Sequence, residues 1–304
     1  MPYMLPDEYG NDFYIVRMNP YADLMPKSGL DEWGILWQSC GKGIHGQVKE
    51  FPLKDWGDFD KLSVPDMNDP ARWTDLEGAL ERAQDKFIFS AGISLYLRAT
   101  FIRGLENVWV DIYQSPENLC KLLDLLVELN LTAIGKLSAA GVDGYILYDD
   151  WGLQDRLMIS PEKWRQIWKP RYKRLFDALR KANMFSILHS CGYIVDIVDD
   201  LIEIGLDIIQ LDQQENMGLE LLGDRFGGRI TFWSPADIQD VMVNGSPEQV
   251  RQYCREMAKH LGRPNGGFIP RYYSDAEGAG HSQENLKAMC EEFLRLANKK
   301  PDDS

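Results

Sequence analysis

Short apolar runs and longer amphipathic stretches alternate along most of this 304-residue chain. The strand-like runs are Phe87–Leu95, Tyr145–Asp149, Phe185–His189, Ile208–Asp212, Ile230–Trp233 and Phe268–Tyr272. They are short, apolar, and enriched in β-branched or aromatic residues, the pattern of strands buried on both faces. Between most of them, apolar residues recur at helical spacing, as in Tyr193–Ile204. Strands alternating with helices predict a parallel sheet, open or closed into a barrel. Three predicted helices begin alike, with Ser115-Pro116-Glu117, Ser160-Pro161-Glu162 and Ser246-Pro247-Glu248. Serine caps free amides, proline suits the first helical turn, and glutamate complements the helix dipole. We read these openings as capping chemistry, not as a catalytic repeat.

Residues 1–85 lack this alternation and mix Pro, Gly, Asp and Trp irregularly, as in Pro52-Leu53-Lys54-Asp55-Trp56-Gly57-Asp58. They are expected to form an irregular N-terminal cap with one helix near Ala71–Gln84. No linker separates this segment from the strand–helix region, so the expectation is a single domain, 1–304, with a barrel core over 86–298. A closed barrel of this kind wants eight strands, so the N-terminal part must add to the six visible ones or leave the barrel incomplete.

Hydrophobic residues make up 44% of the chain, enough for a sizeable core. The net charge of −14 repels phosphate backbones and anionic surfaces, which argues against nucleic acid or membrane as a partner. No apolar run approaches the roughly 18 residues of a transmembrane helix, and Met1-Pro2-Tyr3-Met4-Leu5-Pro6 lacks the regions of a signal peptide. Five cysteines, an odd number in a long chain, argue against a disulfide framework. A cytoplasmic location is expected.

The most informative chemistry is His189-Ser190-Cys191-Gly192, where a predicted buried strand ends. In extended chain His189 and Cys191 point to one side. An imidazole nitrogen beside a thiol sulfur suits zinc. In parallel α/β folds functional groups collect at the carboxyl ends of strands. Those ends carry Tyr148, Asp149, Asp150 and Trp151, then Gln210, Asp212 and Gln213, then Trp233, then Arg271, Tyr272 and Tyr273. Aromatic walls with a few convergent polar groups describe a small-molecule site, although Asp150 and Asp212 also suit loop or helix capping. His45, His260 and His281 stand alone; His260 is expected exposed on a helix, and His281 to cap one. Cys120, Cys254 and Cys290 read as helix packing residues, and Cys40 lies in a loop. The chain has no phosphate-binding glycine loop, no dinucleotide fingerprint after a strand, no G-x-S-x-G elbow and no H-x-H pair.

From about residue 87 to 298 the chain resembles the uroporphyrinogen decarboxylase superfamily. The matching stretches begin with Asp149-Asp150-Trp151-Gly152, His189-Ser190-Cys191-Gly192 and Leu201-Ile202-Glu203-Ile204-Gly205-Leu206-Asp207. They continue with Phe226-Gly227-Gly228-Arg229-Ile230, Gly245-Ser246-Pro247-Glu248-Gln249-Val250, Gly266-Gly267-Phe268-Ile269 and Glu284-Asn285-Leu286-Lys287-Ala288-Met289. The resemblance implies a (β/α)8 TIM barrel with its site at the strand carboxyl ends. True decarboxylases of the superfamily use no metal and carry an arginine-rich signature, M-R-Q-A-G-R, near the N-terminus. Nothing in this chain corresponds to it; Tyr14-Ile15-Val16-Arg17-Met18 is no substitute. The other branch contains cobalamin-dependent methyltransferases. Their thiol-directed members carry His-x-Cys at the place of His189 and Cys191, with a further cysteine near the last strand, and bind zinc.

That further cysteine is missing around Tyr272 and Tyr273. The third zinc ligand is then expected to be Asp212 or Glu215, with Tyr273 a weaker candidate. The resemblance implies zinc-assisted transfer of a methyl group between a small methylated substrate and a separate corrinoid protein, the chain having no room for a cobalamin domain of its own. Asp149 or Asp150 would act as general acid or orient the substrate; alternating side chains let only one face the pocket, and Asp150 is preferred because Tyr148, two residues earlier, would share its side with the neighbours of His189 at the barrel mouth. Tyr148, Trp151, Gln210, Gln213, Trp233 and Tyr272 would contact substrate. The alternatives are a decarboxylase-like enzyme acting on another carboxylate and a non-catalytic barrel that binds a small ligand.

Overall fold

The computed structural model describes residues 9–18, 26, 28–39, 46–83, 85–273 and 276–298; Cys40 and His45 lie outside them. The described strands are β1 (Phe13–Val16), β2 (Gly29–Leu30), β3 (Leu36–Ser39), β4 (Gly46–Glu50), β5 (Phe87–Ala91), β6 (Gly144–Tyr148), β7 (Phe185–His189), β8 (Ile208–Gln210), β9 (Thr231–Ser234) and β10 (Phe268–Pro270). β1 and β5 to β10 form one sheet in chain order, and β2 to β4 form a separate one. The fold is of the α/β barrel class that the alternation predicts. The main sheet has seven strands among the described residues, one fewer than the full set, and β1 is the N-terminal contribution.

The described chain divides into two compact units. One takes in Tyr14–Asp149 and Glu162–Ser186. In it β5 and β6 pair in parallel, with Ser90 opposite Tyr145. β5 stops at Ala91, short of the expected Leu95, because a side chain takes over the backbone partners: Asn130 accepts from the Ile93 amide at 3.0 Å and donates to its carbonyl at 2.9 Å. Asn130 sits on the buried face of helix Pro116–Ala139, among leucines spaced three and four apart. The expected irregular cap is more ordered than its composition implies. β2, β3 and β4 pair antiparallel, and helix Leu76–Ala83 falls inside the helix expected near Ala71–Gln84. Their alternating runs are only two to five residues long, which hides them among glycines and prolines.

The other unit takes in residues 150–161 and those described from Ile187 onward, with Phe13 at its N-terminal edge. β7, β8, β9 and β10 pair in parallel. Their register sets His189 opposite Gln210, and Gln210 opposite Trp233. Helix Val195–Glu203 follows β7 as the periodicity requires. At helix Pro247–Leu261, Ser246 accepts from the Gln249 amide and completes a capping box. At Pro116–Ala139, by contrast, the Ser115 side chain makes no capping bond, and Pro116 and Glu117 mark the first turn. No helix among the described residues is long and apolar enough to cross a membrane.

Candidate metal centre

The site grows from the end of β7. Ser186, Ile187, Leu188 and His189 are all buried. Just past the strand end, His189 and Cys191 face one side, and Nε2 lies 3.5 Å from Sγ. Ser190 faces the other way, and its Oγ accepts from the Trp151 amide at 3.0 Å. A second segment runs alongside: Gly152 N donates to Cys191 O at 3.1 Å, and Tyr193 N donates to Leu153 O at 2.7 Å. The two backbones touch at Gly152 and Gly192. A Cβ on either glycine would stand 2.4 Å from the other's backbone, and Gly192 has a φ of +77°. Glycine is required at both places.

This pairing delivers Asp150. Its Oδ1 accepts from the Cys191 amide at 2.9 Å and lies 3.3 Å from His189 Nε2. The donor atoms of Asp150, His189 and Cys191 lie within 4.8 Å of one another, and no other such trio is found among the described residues. The set offers one nitrogen, one sulfur and one oxygen. The Asp150 side chain is 38% exposed, so the trio opens to solvent on its side.

Burial disfavours charge on His189, yet Cys191 and Asp150 raise its pKa well above the ordinary value. Burial pushes the Cys191 thiol up, against the pull of His189. Burial also works against the Asp150 carboxylate, but His189 and then Cys191 hold it below the usual range. Nε2 of the His189 ring faces a carboxylate oxygen on one side and a sulfur on the other. That is the place a divalent cation would take.

Asp212 lies outside this trio. Its Oδ1 pairs with Arg271 and accepts from Gln210 Nε2 at 2.7 Å. Burial opposes its charge, but Arg271 keeps it below the usual carboxylate range. Asp150 thus stands where the sequence suggested Asp212 as oxygen donor. Glu215 is exposed and accepts from the Tyr253 hydroxyl. Gln210 Oε1 meets His189 Nδ1, and Gln213 Oε1 accepts from the Gly192 amide at 2.9 Å.

Of the expected walls, Trp151 and Trp233 are fully buried, Trp233 stacking on Phe13 at 5.3 Å. Tyr272 is half-buried, and burial raises its phenol. Tyr148 and Asp149 belong to the other unit; Tyr148 is half-buried at the end of β6. Asp149 is fully buried and accepts from the Leu95 and Leu97 amides and the Tyr172 hydroxyl.

His281 does not cap its helix. Ser282 does, accepting from the Asn285 amide, while the buried His281 places Nε2 3.0 Å from Ile238 O. His260 is half-buried on its helix rather than exposed. Cys120, Cys191, Cys254 and Cys290 are free thiols.

The profile of the Uroporphyrinogen decarboxylase (URO-D) family matches residues 41–291, and the chain belongs to that family. Its relatives fall on both sides of the division seen in the sequence. A methylated-thiol–coenzyme M methyltransferase of Methanosarcina mazei is 26% identical over 66% of this chain, spanning 58% of the relative's own length. A uroporphyrinogen decarboxylase of Magnetococcus marinus is 25% identical over 83% of this chain and 72% of its own. A solved methyltransferase from Methanosarcina mazei shares the fold, with a TM-score of 0.72 at 16% identity over 95% of this chain and 82% of that one.

Proposed function

We propose that this protein is a zinc-assisted methyltransferase that moves a methyl group between a small methylated substrate and a corrinoid carried by a partner protein, in the cytoplasm. The observation that carries the reading is the meeting of His189 Nε2, Cys191 Sγ and Asp150 Oδ1 at one strand end. A nitrogen, a sulfur and an oxygen donor fit zinc, and three protein ligands leave a fourth position for substrate. Bound there, zinc would act as a Lewis acid on the heteroatom that carries or receives the methyl group. The methylated-thiol relative, and a second whose name is Methylcobamide:CoM methyltransferase MtbA, support a thiol or similar soft nucleophile as one reactant.

The chain's own residues have separable tasks in this reading. Cys191 and His189 hold the ion from β7 and its extension. Asp150, kept below the usual carboxylate range by His189 and Cys191 against burial, suits a ligand better than a general acid. Its exposure marks the side from which substrate enters. Gln213 holds the Gly192 turn on which Cys191 depends. Tyr272, half-buried, offers an apolar surface, while Trp151 and Trp233 back the site from within.

Elemental analysis of the purified protein tests this directly. About one zinc per chain is expected, falling sharply in Cys191→Ala, together with methyl transfer from methylcobalamin to a thiol. A preparation that takes up no zinc would remove the reading. The decarboxylase relative, which aligns over the larger share of the chain, favours a second one: carboxy-lyase chemistry on another substrate. Uroporphyrinogen itself is not the expected substrate, given the net charge of −14, which repels a polyanionic porphyrinogen. Its turnover to coproporphyrinogen would overturn the methyltransferase reading.

A further inference from the structure

An imidazole has two nitrogens, and the one that lacks a proton is the metal donor. His189 Nε2 faces Asp150 and Cys191, while Nδ1 faces Gln210 Oε1. A glutamine amide taken alone can present either end to a ring nitrogen. Here its other end decides the matter. Gln210 Nε2 lies 2.7 Å from Asp212 Oδ1, and a carboxylate only accepts. Asp212 in turn pairs with Arg271, which only donates and does not lose its proton. Gln210, Asp212 and Arg271 are all buried, so water does not offer easy alternatives. Turning the amide over would set its oxygen against a carboxylate in a buried place.

We propose that Gln210 and Asp212 are positioning residues: anchored by Arg271, they force the proton of the neutral His189 ring onto Nδ1 and leave the Nε2 lone pair for the metal. The part concerning metal rests on the zinc reading above; the tautomer does not. Asp212, expected from the sequence as a ligand, acts through two intervening bonds instead. Every link has one direction, Arg271 to Asp212, Gln210 to Asp212, and His189 to Gln210.

Gln210 Nε2 and Arg271 meet at one oxygen, Asp212 Oδ1, so the chain of bonds is broken by removing the Gln210 amide or by recharging it. Zinc affinity is measured by competition with a chromophoric chelator. Gln210→Leu should bind zinc about 10–100-fold more weakly, as loss of a ligand's outer partner does elsewhere. Gln210→Glu sets two carboxylates together and should also weaken binding. Nitrogen-15 shifts of His189 in the metal-free wild-type protein, recorded where the ring is neutral, should show Nδ1 protonated. An unchanged affinity in Gln210→Leu and in Gln210→Glu, or a neutral ring protonated on Nε2, would each overturn the proposal. If the wild type takes up no zinc, the zinc reading falls, and the ring tautomer still decides whether the relay exists.

Discussion

Asp149 and Asp150 are adjacent in the chain but have unlike surroundings. Asp149, in one compact unit, is fully buried, and its carboxylate accepts from the Leu95 amide at 3.0 Å, the Leu97 amide at 2.8 Å and the Tyr172 hydroxyl at 2.5 Å. All three are neutral donors, and two belong to the backbone where helix Tyr96–Arg103 begins. Asp150, in the other unit, is partly exposed and meets an imidazole, a thiol and one amide. The contrast separates two environments for a carboxylate at a strand end. Partners that are themselves metal donors suit the proposed site; backbone amides and a hydroxyl make a brace.

The largest effect is expected at neither aspartate but at the glycines that hold Asp150 in place. Gly192→Ala puts a Cβ 2.4 Å from the Gly152 backbone at a positive φ. It should cost about 3–5 kcal/mol in denaturant unfolding, or prevent folding. A loss under ~1 kcal/mol would mean that the close pairing does not hold Asp150. Asp149→Asn comes next. An amide has one acceptor oxygen and a donating NH2, so one of the donors now meeting the carboxylate loses its partner, and about 2–3 kcal/mol of stability should go while zinc uptake per folded chain is kept.

Asp150→Asn should invert that result. Stability should fall by less than ~1 kcal/mol, and zinc affinity by about 10–100-fold, or roughly 1.4–2.8 kcal/mol. If Asp149→Asn lowers zinc affinity and Asp150→Asn lowers only stability, the contrast has been read the wrong way round.

Glu292 sharpens the comparison as a third case, a buried carboxylate in the same unit as Asp150 but partnered by cations. Arg295 above all, with Arg255, pulls its pKa down to about 2 against the opposing effect of burial. A depressed carboxylate stabilises the fold above its unfolded value, near 4.3. That contribution is lost as pH falls from there through about 2. Because both arginines are partly exposed, it is about 1–2 kcal/mol once screened. Glu292→Gln should therefore melt lower at pH 7 and approach the wild type near pH 2, with no change in zinc uptake.

The alternation of strands and helices was legible because burial on both faces leaves unbroken apolar runs such as Ile187-Leu188 and Ile208-Ile209. Strand ends were less so. Ile93 reads as strand until Asn130, 37 residues away, takes both its backbone groups. At the site, His189 and Cys191 share a side by local geometry alone, and two-residue spacing reveals that. Asp150 as their third neighbour depends on a contact between segments about 40 residues apart, and no local pattern encodes it. Its trace in the sequence is the glycine in Asp150-Trp151-Gly152 and again in Cys191-Gly192, legible only once the two backbones are known to touch. Asp212 looked like a ligand because acidity is visible in a sequence, whereas the prior claim of Arg271, 59 residues on, is not.

The backbone bonds that tie Gly152 to Cys191 and Tyr193 to Leu153 also set how the trio comes apart. Opening that one seam would separate Asp150 from the other two donors without requiring the rest of the molecule to unfold. Such sub-global openings need less free energy than complete unfolding. Amide exchange at Gly152, Cys191 and Tyr193 would therefore report how readily the trio opens, and under the zinc proposal ion release should keep pace with exchange at those three positions rather than with the slowest amides of the core.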